Sequence, residues 1–144
     1  MISTADHIQQ IFIFSGAILF VLGLVQGAII PFMHNPRMAL SAHLTAVQSG
    51  MALMIFGLIR PFMQLEQLSL EITLWSSVIG FYLLWAGIAL AAATGASRTL
   101  PIAGQGYSAR KIFEIAVAIT MNTGVILSFI SGLYILTGLY YGML

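Results

Sequence analysis

The chain has 144 residues, of which 60% are hydrophobic and only 6% are charged, and its formal net charge is +1. A soluble domain carries about 25% charged residues, so this chain cannot cover a globular surface with polar groups, and lipid must be its solvent. The small net charge argues against a nucleic-acid partner. The chain contains no cysteine, which excludes disulfides, thiolate metal sites and thiol catalysis.

Four long apolar runs follow one another along the chain, at about residues 9–32, 40–62, 70–94 and 113–142. Each exceeds the roughly 18 residues that suffice for a membrane helix. Only helices and closed barrels satisfy their backbone hydrogen bonds in lipid, and continuous runs of this length indicate helices. The sequence therefore predicts an all-α integral membrane protein, a four-helix transmembrane bundle that forms a single domain over residues 1–144.

The cations predict the orientation of this bundle. The first and third loops lie on one side of the membrane and hold most of the cations: Arg37, Arg98, Arg110 and Lys111. The other side holds one cation and three acids: Arg60, Asp6, Glu66 and Glu71. The positive-inside rule then places loops one and three in the cytoplasm of a bacterial-type cytoplasmic membrane, with both termini outside.

Small residues mark where helices should touch. The first span contains the G-x-x-x-G pattern of Gly23 and Gly27, and the third has Gly80 and Gly87 a heptad apart. Small residues let helix backbones approach closely in membranes. We expect these positions to serve packing within the chain and self-association, so a homo-oligomer is predicted.

His43 is the one histidine inside a span, and intramembrane titratable residues are functional candidates by default. At 100° per residue, Ala46, Val47 and Gly50 fall on its face of the helix. A face that is small near the ring and apolar beyond it suits a flat apolar ligand, such as a haem with one axial histidine. The alternative is a histidine that hydrogen-bonds to a neighbouring helix, and the residues alone leave both open.

Few other polar residues are predicted on the side of the membrane nearer His43 or within the membrane-spanning segments. Arg37 is a further candidate for contact with a cofactor. Glu114 is expected to pair with Arg110 at i−4. Tyr82 and Asn122 either face a substrate or link helices.

Two stretches of the chain carry a family resemblance. Residues 35–44, NPRMALSAHL, resemble the signature of the hydroxylaminobenzene mutase family. A second stretch agrees with it, which begins at residues 80–82, GFY, and ends, after an alanine-rich run, at residues 100–106, LPIAGQG. The resemblance covers most of residues 15–115. More distantly, Ala42-His43 with Ser49-Gly50 resembles styrene oxide isomerase. That resemblance implies a haem b with His43 as its axial ligand at a subunit interface, a ferric iron that acts as a Lewis acid, and a trimer.

This chain departs from both families at identifiable positions. Ser49 and Leu84 stand where asparagine is usual, and Ser15 stands where a histidine is common among the mutases. If those asparagines orient the substrate oxygen, this chain acts on a different or smaller substrate.

The resulting prediction is a membrane isomerase without a co-substrate. It would rearrange a small hydrophobic arylhydroxylamine to an aminophenol at a His43-ligated haem iron, with Tyr82, Ser49 and Asn122 as the catalytic candidates. One alternative is an aryl epoxide isomerase that yields an aldehyde. The alternative of another class is a non-enzymatic haem-binding protein or transporter subunit.

Overall fold

A computed structural model of the protein describes residues 4–144, with side chains from His7 onward. The side chain of Asp6, counted above toward the charge of the outer side, lies outside the described residues. Four of the helices are long and apolar enough to cross a membrane: α1 (Thr4–Ala28), α2 (Pro36–Ile59), α3 (Gln67–Thr94) and α5 (Lys111–Met143). A short helix α4 (Pro101–Gly104) lies in the loop between α3 and α5. The predicted all-α membrane fold is confirmed.

The helix boundaries follow from local capping. α1 ends at Ala28, and Pro31 lies in a single 3₁₀ turn, Ile30–Phe32, that follows it. α2 starts four residues earlier than the predicted span, because the Asn35 side chain accepts a hydrogen bond from the Met38 N–H at 3.0 Å and Pro36 occupies the first helical position. α3 ends at Gly95, whose φ of +81° is the left-handed conformation typical of a helix C-terminus.

The helices pack in the order α1, α2, α3, α5. α1 lies along α2, α2 along α3 and α3 along α5, while α1 meets α3 over a short stretch only. Glycines form close contacts in the first and last pairs. A Cβ atom on Gly16 would lie 2.6 Å from the Gly50 carbonyl oxygen, and one on Gly124 would lie 3.0 Å from that of Gly80. These glycines therefore serve helix contacts within one chain.

Loop one (29–35) and loop three (95–110) are joined at one end of the helices. The Asn35 N–H donates to the Ala92 carbonyl at 2.9 Å, and its Nδ2 donates to the Ala103 carbonyl at 3.1 Å. Asn35 is fully buried. We call this set of contacts the loop clasp. It joins the two sequence stretches that carry the family resemblance.

Glu114 closes loop three from the first turn of α5. Its buried carboxylate accepts hydrogen bonds from the backbone N–H groups of Ser97, Arg98 and Ala109. We expected a salt bridge to Arg110, and that expectation is wrong. The backbone N–H groups of loop three occupy the carboxylate oxygens, and the Arg110 side chain is exposed.

Candidate functional site

His43 is held by α1. It lies in the second turn of α2, and its Nδ1 is 2.7 Å from the Gly23 carbonyl oxygen. A carbonyl only accepts, so Nδ1 carries the proton and Nε2 is the unprotonated nitrogen of the neutral ring. The ring also covers Gly27, where an added Cβ would lie 2.8 Å from Nδ1. The G-x-x-x-G pattern of α1 therefore makes room for an imidazole.

This hydrogen bond bears on both interpretations of His43. It is the contact expected if His43 only hydrogen-bonds to a neighbouring helix. It is also the arrangement of a metal-ligating histidine, which almost always donates its second ring N–H to a carbonyl or carboxylate. Within the described residues no three His, Asp or Glu side chains converge, so a metal held through His43 would have at most one further ligand of these types there.

The predicted cofactor face of α2 is largely occupied by α1. Ala46 is fully buried, and a Cβ on Gly50 would lie 2.6 Å from the backbone nitrogen of Phe20. Val47 packs against Gly23 in the same contact. Arg37 is exposed in the first turn of α2. Among the predicted cofactor-binding residues, His43 is partly exposed and has its imidazole ring oriented by a hydrogen bond. The cofactor role of the other four stays a prediction.

The three predicted catalytic residues lie on three different helices, Tyr82 on α3, Ser49 on α2 and Asn122 on α5. The Tyr82 hydroxyl donates to the Ser15 carbonyl at 2.9 Å, and Ser15 is eight residues, or about 12 Å of helix rise, from Gly23. Ser49 is buried on α2. Asn122 lies on the exposed face of α5, so the fold does not direct it toward His43 of its own chain.

Tyr82 opens onto a groove between α1 and α3. The groove has a volume of about 520 Å³, within the range of small-molecule sites. Its walls are almost entirely apolar, with His7 and Gln10 among the few polar residues. The lining includes Phe14, Ser15, Ile18, Ile79, Tyr82 and Leu83. The sequence did not reveal this groove, because it depends on how far α1 and α3 diverge.

Three buried donors have no hydrogen-bond partner in the described part of the chain: Gln26 Nε2, Arg60 Nε and Trp85 Nε1. Leaving a buried donor unpaired costs about 1–3 kcal/mol, so each such group needs an explanation. Gln26 was missed at the sequence level. Its signal is a carboxamide between the two glycines of the G-x-x-x-G pattern, in a stretch (residues 16–32) that is otherwise apolar.

The fold and the site together define a small multi-pass membrane protein with one oriented intramembrane histidine. The chain belongs to the styrene oxide isomerase family, whose model matches residues 8–140. It is 34% identical to hydroxylaminobenzene mutase HabA of Ectopseudomonas oleovorans over 133 residues, which are 91% of this chain and 98% of that protein. It is 36% identical to hydroxylaminobenzene mutase HabB of the same organism over 107 residues, 74% of this chain and 65% of that protein. No solved structure matches.

These matches confirm the resemblance on which the prediction was based. They also confirm that the protein is an isomerase of the mutase type, carried by membrane-spanning helices. A purely non-enzymatic membrane protein, the alternative of another class, does not agree with this family.

Proposed function

We propose that this isomerase converts a small arylhydroxylamine into an aminophenol within the bilayer. Support comes from the two mutase relatives, one of which aligns with nearly the whole chain. In the reaction the N–O bond breaks and a C–O bond forms on the ring. The displaced ring hydrogen leaves as a proton and nitrogen gains one, so atoms and electrons balance without a co-substrate.

We propose that His43 would hold a haem b through Nε2. The observation that carries this is the hydrogen bond from Nδ1 to the Gly23 carbonyl, which leaves the Nε2 lone pair for a metal and fixes the ring plane. When bound, the haem would supply a Lewis-acidic iron. The task of the chain is to hold the imidazole in one tautomer and one orientation, and Gly23 and Gly27 do so.

The α1–α3 groove is proposed to take up the aryl substrate from the bilayer before it reaches the His43 site. Its apolar walls, which include Phe14, Ile18 and Leu83, match an aryl group. Tyr82 donates to the Ser15 carbonyl, so its phenol oxygen keeps acceptor positions for a substrate N–H or O–H. We assign Tyr82 to substrate binding in the groove. Ser49 keeps its proposed role as a donor to the substrate oxygen.

A homo-oligomer is part of the proposal. Asn122 and Thr123 are exposed on α5 about 16 Å from its first residue, near the middle of the hydrocarbon layer. A carboxamide facing lipid tails is unfavourable, and polar side chains at this depth commonly hydrogen-bond to another helix. A second copy would cover this face, and the styrene oxide isomerase resemblance favours a trimer.

Aryl epoxides are the second candidate substrate, because the family that matches residues 8–140 is named for styrene oxide. The same His43 site would serve, and the product would be an aldehyde. Both substrates therefore belong in one assay.

The test compares wild type, His43→Ala and the matched control His34→Ala, each produced with haem supplied and purified in detergent. We expect a Soret band and turnover of hydroxylaminobenzene in wild type and His34→Ala, and neither in His43→Ala. Full haem content and turnover in His43→Ala would refute the role of His43. A colourless wild type that still turns over the substrate would remove the haem from the proposal and retain the isomerase.

A further inference from the structure

Gln26 is a buried carboxamide on the packing face of α1. The face is formed by buried residues that recur every three or four positions: Ile8, Phe12, Gly16, Leu19, Gly23 and Gln26. Gln26 is only 5% exposed, and its Nε2 has no hydrogen-bond partner in the described chain. Lipid offers no acceptor either, so packing alone gives no reason for an amide at this position.

Gln26 lies at the same depth as the imidazole of His43. Its neighbours on α1 bracket that ring: Gly23 accepts from Nδ1 at 2.7 Å, and a Cβ on Gly27 would lie 2.8 Å from the same atom. A helical side chain covers the turn N-terminal to its own Cα, so the Gln26 carboxamide extends toward the height of Gly23. It points about 60° around the helix from Gly23. The carboxamide and the imidazole therefore occupy neighbouring surfaces of α1.

Two features of this pair favour a ligand between or beside them. His43 has its Nδ1 proton committed to Gly23, so its remaining chemistry is at Nε2. Gln26 has a buried donor without a partner in the described chain, and a hydrogen bond in a buried site is electrostatically stronger than in water. An acceptor oxygen held near His43 is the ligand group that would pair with such a donor.

We propose that Gln26 binds the substrate, with Nε2–H donating a hydrogen bond to the oxygen of the N–O group at the His43 site. This rests on the proposed function, because it takes His43 as the reaction site. The carboxamide exchanges no proton and makes no covalent bond, so the balance of the isomerisation is unchanged. Its contribution is to fix the oxygen and to stabilise it as it gains negative charge.

The test replaces Gln26 by methionine, which has a similar length and no hydrogen-bond donor. Leu19→Met, on the same face of α1, is the matched control for repacking. We expect kcat/KM for hydroxylaminobenzene to fall about tenfold or more in Gln26→Met and to change less than about twofold in Leu19→Met. The Tm of Gln26→Met should equal or exceed that of wild type, because an unpaired buried amide has been removed.

A binding measurement separates this role from a structural one. The product 2-aminophenol should raise the Tm of wild type and Leu19→Met, and should raise that of Gln26→Met much less. Wild-type kcat/KM together with undiminished stabilisation by 2-aminophenol in Gln26→Met would overturn the inference. A joint loss of Tm and activity in both Gln26→Met and Gln26→Leu would also overturn it, because the amide would then have a partner in the fold.

The same experiment distinguishes the failure of this inference from that of the proposed function. Wild-type protein that turns over neither hydroxylaminobenzene nor styrene oxide overturns the proposed function, and the role of Gln26 with it. Active wild type beside an equally active Gln26→Met overturns the role of Gln26 alone.

Discussion

A single methyl group at Gly27 should dislodge the imidazole of His43. In Gly27→Ala the new Cβ would lie 2.8 Å from Nδ1 and 3.0 Å from Cε1. The first distance is roughly 0.7 Å inside the 3.5 Å at which such contacts become favourable. The ring must therefore move away from α1, and a shift of that size lengthens the 2.7 Å distance from Nδ1 to the Gly23 carbonyl to roughly 3.4 Å, which weakens the hydrogen bond.

The cost in stability should be small and the cost in function large. Even complete loss of the hydrogen bond removes only about 0.5–1.5 kcal/mol, and alanine returns up to about 1 kcal/mol of helix propensity. The free energy of unfolding should therefore change by less than about 1.5 kcal/mol. Removing the group that orients a metal-ligating histidine typically costs about 10–100-fold in metal affinity or activity.

The assay is a haem titration of the purified protein followed by the Soret band, together with turnover of hydroxylaminobenzene. Gly132→Ala is the matched control, because nothing lies within 4 Å of a Cβ at that position. We expect the control to bind and turn over like wild type. Gly27→Ala with wild-type affinity and turnover would refute the argument that Gly23 and Gly27 orient His43.

Three further predictions concern loop three, the contact between α3 and α5, and the membrane topology. Glu114→Gln weakens the charge-assisted bonds to the loop-three backbone, which are worth about 1.5–3 kcal/mol each, so the Tm should fall and loop three should be cut faster by protease. In a double-mutant cycle, Ser77→Ala and Ser131→Ala should show a coupling energy of about 0.6 kcal/mol from their 2.5 Å hydrogen bond, and additive effects would contradict it. Because the chain has no cysteine, Ser108→Cys should react with an impermeant maleimide only in inverted vesicles and Gln64→Cys only in intact cells; the reverse pattern would invert the proposed topology.

The spans could be predicted because lipid imposes length and apolarity on every membrane helix. The predicted start of the second span at residue 40 was late. A window of hydropathy does not register the N-cap of Asn35, whose polar side chain is satisfied inside the protein. The glycine pattern also predicted that these positions contact another helix. It could not predict which helix, since a glycine pattern says nothing about which helix faces it.

The site was predictable in its chemistry and less so in its geometry. His43 could be singled out by its rarity, whereas its bond to Gly23 depends on the rotation of α1 against α2. The expected pairing of Glu114 with Arg110 was wrong for a related reason. Local spacing favours an i−4 partner, but the carboxylate meets backbone groups more than a dozen residues away that only the folded loop presents.

The loop clasp implies an order of biogenesis. The glycines of the α1–α2 hairpin and the residues that they contact all lie within residues 4–59. The hairpin can therefore pack as soon as both helices have entered the membrane. The acceptor of the Asn35 side-chain donor is the carbonyl of Ala103, 68 residues later. Until the third loop has been synthesised, that donor depends on water at the membrane surface. The α1–α2 hairpin can therefore pack before loop three exists, and the docking of loop three on Asn35 completes the loop clasp.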